Sequence, residues 1–181
     1  MLEREKTTTL GDVTAVAAVT LGALAALANL LGAAYVLRTF FGDSAAVDDS
    51  LVLFTTLGAL TAAFAFGYGA LLLARRDDTG RLVLIVAAAA QLGLGLLALL
   101  ATLVGYDSGY GIHWFADQSV LRSIPVGLGG VPGAVTAIVN HNWTAAATAT
   151  GLGAIVLLLA AVPPTATYTR ARRAGVVGPA V

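Results

Sequence analysis

The residues of this chain that could do chemistry are few, and they gather in its second half. His113 and His141 are the only histidines. They stand among aromatic residues, with Tyr110, His113 and Trp114 in YDSGYGIHWFADQSVLRS and with His141 and Trp143 in NHNW. A pair of imidazoles can hold haem or a metal ion, and one imidazole can carry a proton near neutral pH. Haem ligation through His113 and His141 needs facing rings around a cavity, and a separation of 28 positions in sequence implies neither. Zinc ordinarily takes three or four ligands, and Asp107 and Asp117 are merely the carboxylates at hand. With no cysteine, thiolate catalysis, disulfides and Cys-bound zinc drop out. The serines at 44, 50, 108, 119 and 123 have no assignable base, and GLGGVPG lacks the Lys–Ser/Thr ending of a phosphate loop. The reading is therefore no catalytic residue and no metal site. The histidines act as interfacial hydrogen-bonding groups and the rings sit at a headgroup boundary. A haem- or quinone-associated subunit is the weaker alternative.

These residues must be positioned by membrane helices. Of the 181 residues 58% are hydrophobic and 11% charged, with a mean hydropathy of +0.87. A net charge of zero offers no broad basic surface to a nucleic acid. Uncharged runs of roughly 20 residues match the thickness of a bilayer core. The expected fold is an all-α, polytopic four-helix bundle forming one integral membrane domain. Its spans fall at about 12–39, 51–74, 82–104 and 144–162, with an irregular outer segment at 105–143. Asp12 and the threonines before it are placed at the first helical start, and Pro163 and Pro164 at the last helical stop. The first apolar segment reads as a retained span and not as a signal peptide.

Arg75, Arg76 and Arg81 after the second span, and Arg170, Arg172 and Arg173 after the last, place both termini in the cytoplasm of a cell membrane. IPVGLGGVPGAVTAIVNHNW, residues 124–143, is apolar but broken by Gly127, Gly129, Gly130 and Gly133 and by Pro125 and Pro132. A short broken helix at the outer interface is the leading reading. A re-entrant segment is the second, an extension of the last span or a fifth crossing is the third, and a fifth crossing conflicts with the arginine pattern.

Small residues four apart, Gly22 with Ala26, Gly58 with Ala62 and Ala147 with Gly151, offer faces for close helix contact. Asn29 and Gln91 fall mid-span and should face inward, as intramembrane packing residues joined by an interhelical hydrogen bond. No charge lies mid-span, which argues against an ion-coupled transporter. Ligand or partner contact is expected on the outer face, at Tyr110, His113, Trp114, Arg122, Pro125, Gly129, Gly130, Pro132, His141 and Trp143. The functional expectation is a non-catalytic accessory or structural subunit, whose partners are lipids and other membrane subunits or copies of itself. A small channel or facilitator with its pore element in 125–133 is the alternative.

Overall fold

The computed structural model describes residues 2–42, 48–106 and 128–176, with side chains for 10–42, 48–106 and 128–169. All regular structure among them is helical: α1 (Leu2–Gly42), α2 (Asp49–Ala74), α3 (Asp78–Val104), α4 (Val131–Val139), α5 (Trp143–Ala161) and α6 (Pro163–Val176). Four helices are long and apolar enough to cross a membrane, at 10–42, 49–74, 78–104 and 143–161.

Local chemistry explains where the helices begin and end. Asp48 caps α2, its Oδ1 accepting from the Ser50 and Leu51 N–H groups at 2.9 and 3.1 Å. Asp77 caps α3 through the Thr79 N–H at 2.9 Å, and Asn142 caps α5 through that of Ala145 at 3.0 Å. Gly105, at φ 65°, closes α3 in the left-handed conformation. The chain departs from expectation at both termini. Asp12 lies inside α1, because the good helix formers Glu3, Arg4, Glu5 and Lys6 carry that helix back to Leu2. Pro163 and Pro164 do end α5, but Pro163 also opens α6, since proline suits a first helical turn.

Side-chain size, more than hydrophobicity, separates the inner from the outer faces. In α1 the buried line is Gly11, Ala15, Ala18, Gly22, Ala25, Asn29, Gly32 and Val36, while Val13, Val16, Leu24, Leu27 and Leu31 are at least half exposed. α5 buries Ala145, Ala149, Gly153, Val156 and Ala160. Such faces let backbones approach, as where a Cβ on Gly95 would stand 2.7 Å from Thr150 Oγ1 and one on Gly153 2.9 Å from the Leu92 nitrogen. The core joins Phe66, Leu73, Leu84 and Val156 to alanines of α1 and α3. Of the small-residue pairs read in sequence, Gly22 packs on Leu84 and Gly58 faces Val131. Ala147 is exposed and Gly151 faces open space, so the contact face of α5 lies at a different register.

The short α4 is wedged against α1, α2, α3 and α5. None of its nine residues is exposed, and Pro132, Gly133, Ala134, Thr136 and Ala137 are buried.

Candidate functional site

The polar centre of the bundle is built on Asn29, which is fully buried in α1. Its Oδ1 accepts the Val131 N–H at 2.9 Å, and its Nδ2 donates to the Ala25 carbonyl at 2.9 Å and to Gln91 Oε1 at 3.4 Å. A side chain on α1 thus caps α4 from 102 positions away. The start of a buried helix needs such a partner, because its first N–H groups have none within the helix. Pro132, the next residue, has no N–H to satisfy.

Two glycines make this approach possible. Gly130 has φ 69° and ψ −133°, a backbone conformation essentially closed to side-chain-bearing residues, and a Cβ there would overlap the Asn29 amide. A Cβ on Gly32 would stand 2.6 Å from the Gly129 carbonyl oxygen and 3.0 Å from Pro132 Cγ. The irregular composition of this stretch therefore serves a close contact at the level of Asn29, near the middle of the apolar part of α1, residues 10–42.

Gln91 lies at the midpoint of α3 and is 3% exposed. Its Oε1 receives the Asn29 amide, while its Nε2 is buried without a hydrogen-bond partner among the described residues. The direction of the chain of bonds is fixed from the backbone outward. Val131 N–H can only donate, so it meets Asn29 Oδ1; Asn29 Nδ2 then meets Gln91 Oε1, leaving Gln91 Nε2 at the end of the chain of bonds. Gln91 forms part of the wall of an apolar groove of about 840 Å³ between α2 and α3, lined also by Val131.

The remaining sequence-selected residues separate. His141, exposed and at φ 50°, donates from Nε2 to the Tyr106 carbonyl, which assigns the ring proton to that nitrogen. Trp143 is half exposed at the first position of α5. Gly129, Gly130 and Pro132 meet α1 at Asn29 and Gly32. Tyr110, His113, Trp114, Arg122 and Pro125 lie outside the described residues, as do Asp107 and Asp117. Among the described residues no three His, Cys, Asp or Glu side chains gather as a metal site would require.

A second polar cluster, not foreseen from sequence, joins the α2–α3 connector to α6. The Arg76 guanidinium lies 4.6 Å from the Tyr168 ring centre and 4.0 Å from Asp12, and Thr169 Oγ1 donates to Asp78 Oδ1 at 3.0 Å. Asp78 also holds Arg81 Nε at 3.0 Å. Thr165 Oγ1 donates to the Leu159 carbonyl at 2.6 Å and lies 3.1 Å from Thr14 Oγ1 on α1. The available signal was a proline at a helix start followed by Tyr168 and arginines. At the opposite end of α2, the Ser50 hydroxyl and then the Leu51 N–H hold the Asp48 carboxyl below the ordinary carboxylate range. Set against models of protein families, curated proteins and solved structures, the chain matches none.

Proposed function

We propose that the chain is a non-catalytic accessory or structural subunit of a membrane assembly, most plainly of the cell membrane. It crosses four times with both termini in the cytoplasm, and its 128–139 segment re-enters the bundle from the outer side. The observation that carries this reading is the joining of Asn29, Gln91 and the Val131 N–H to one another at mid-span. Polar groups that bond across helices in a bundle core fix packing. Re-entry is supported by the absence of any exposed residue in α4, since a helix lying on an interface keeps one face in water. The contacts of Arg76 with Tyr168 and of Asp78 with Thr169 put the α2–α3 connector and α6 at one end, which suits a single cytoplasmic side for both arginine groups.

A channel or facilitator with a pore element in 125–133 would use the same half-helix. The full burial of Asn29 and the close contacts of Gly32 and Gly130 favour packing over passage. The test has two arms. Native mass spectrometry of the complex extracted with mild detergent should show a fixed stoichiometry with a second integral membrane protein or with further copies of the chain. The purified chain in liposomes should pass no small solute. Solute flux blocked by a thiol reagent on Val131→Cys would replace this reading with the channel.

A further inference from the structure

We propose that the end of the bundle formed by the α2–α3 connector and α6 binds the phosphodiester headgroups of anionic phospholipids in the cytoplasmic leaflet. This surface presupposes the proposed topology, in which both arginine groups share that side. The fold itself gathers the charge. Arg75 and Arg76 stand in the connector and Arg81 in the first turn of α3, while positions 170, 172 and 173, all arginine, belong to α6. Thr169 Oγ1 donates to Asp78 Oδ1, 91 positions away, at 3.0 Å, and the Arg76 guanidinium lies 4.6 Å from the Tyr168 ring centre. Two basic segments remote in sequence therefore meet at one end.

The whole chain has a net charge of zero, so the excess at this end is a matter of placement. Six arginines stand there against Asp12, Asp77 and Asp78, while Glu3 and Glu5 on α1 are matched in number by Arg4 and Lys6. The three aspartates are engaged locally. Asp77 caps α3, Asp78 holds Arg81 Nε and Thr169 Oγ1 at 3.0 Å each, and Asp12 lies 4.0 Å from Arg76. So long an ion pair between half-exposed side chains is weak, and Arg76 keeps most of its capacity for a phosphate oxygen. Depth selects a lipid over a soluble polyanion. Arg75 directly follows an apolar helix that ends at Ala74, and α6 begins two positions after α5 ends at Ala161. Thr165 and Ala166 are buried, with Thr165 beside Thr14, four positions into the apolar part of α1. The basic turns of α6 thus start at the edge of the apolar layer, the level of lipid phosphates, where a basic cluster attracts an anionic leaflet. A headgroup without an ammonium fits best, because a zwitterion cancels part of that attraction.

The experiment is native mass spectrometry of the full chain released from nanodiscs of equal phosphatidylglycerol and phosphatidylcholine with matched acyl chains. The wild type should retain phosphatidylglycerol in preference, and the preference should collapse at an ionic strength of about 1 M, where the Debye length is about 3 Å. Each arginine replaced by Gln should lower the preference by up to about fivefold, and Arg170, Arg172 and Arg173 replaced together should bring the two lipids close to parity. The same three replaced by Lys should keep the preference, as should Arg38→Gln at the far end of α1, where the side chain is exposed. Equal retention of the two lipids by the wild type, a preference unmoved by salt, or an equal loss in Arg38→Gln would overturn the proposal, and these readouts hold if the Gln variant does not fold. Displacement of phosphatidylglycerol by polyglutamate at equal charge concentration would also overturn it, assigning the surface to a soluble acidic partner. Impermeant labelling of Asp77→Cys and Gly175→Cys keeps the failures apart. Labelling from opposite sides removes the topology itself, whereas labelling from one side with no lipid preference overturns this proposal alone.

Discussion

Replacing Asn29 with leucine removes all three of its hydrogen bonds, and their consequences are unequal. The bond from Val131 is short and serves a buried helix start, so its loss leaves a backbone donor unsatisfied at a cost of about 1–3 kcal/mol. The bond to Gln91 is long at 3.4 Å, and interhelical bonds of this kind in membrane proteins average about 0.6 kcal/mol. Together they give roughly 2–4 kcal/mol for Asn29→Leu, before any collision of the new methyls with Gly130. Gln91→Leu breaks only the long bond and also removes the unpaired Nε2, so it should cost about 0–1 kcal/mol. The double variant should be no less stable than Asn29→Leu, because the pair interaction is already lost in the single variant. Reversible unfolding in mixed micelles, followed by circular dichroism, measures all four chains. Equal destabilisation by the two single variants, or an Asn29→Leu chain within about 0.5 kcal/mol of wild type, would refute the capping role.

Two further predictions concern positions whose surroundings differ sharply. Gly130→Ala should destabilise the bundle by about 2 kcal/mol or more, since it meets both a forbidden backbone conformation and the Asn29 amide. Gly151→Ala, facing open space in α5, should be neutral or stabilising by up to about 1 kcal/mol, and the same unfolding assay would expose a reversed order. Asp48 binds its proton more weakly in the folded chain than at its ordinary value of 3.8, so its support of α2 is complete above that pH and fades as pH falls through the lowered folded value. Exchange of the Leu51 amide should accelerate in that acid range in wild type but show no such step in Asp48→Asn, and a midpoint at or above 3.8 would contradict the cap.

The helices were legible because long uncharged stretches punctuated by Asp48, Asp77 and Asn142 carry both span length and capping chemistry. The all-α reading with four apolar helices of spanning length stands on that signal. Which faces pack was harder to read. Nearly every position of α5 is Ala, Gly, Thr, Leu, Ile or Val, so spacing alone admits Ala147 with Gly151 as readily as Ala149 with Gly153. The sharper guide is the alternation of small against large, clear in the line from Gly11 to Val36 of α1. The link from Asn29 to Val131 spans 102 positions and depends on one backbone angle at Gly130, which no local pattern records. Sequence could mark 124–143 as unfit for a continuous helix, but not that its glycines admit an asparagine from another span. Likewise the proline pair marked a break after α5, while the return of α6 onto α1 depends on Gly11 lying against the Pro164 carbonyl.

The central claim is a four-span bundle with a re-entrant α4, and thiol accessibility tests it most directly because the chain has no cysteine of its own. Single cysteines at Asp77, Leu128, His141 and Gly175 would be treated with an impermeant maleimide from either side of sealed, oriented vesicles. The account predicts labelling of 77 and 175 from the cytoplasmic side, of 141 from the outer side, and of 128 from neither. Labelling of 77 and 175 from opposite sides would contradict the topology, and labelling of 128 as fast as 141 would contradict re-entry.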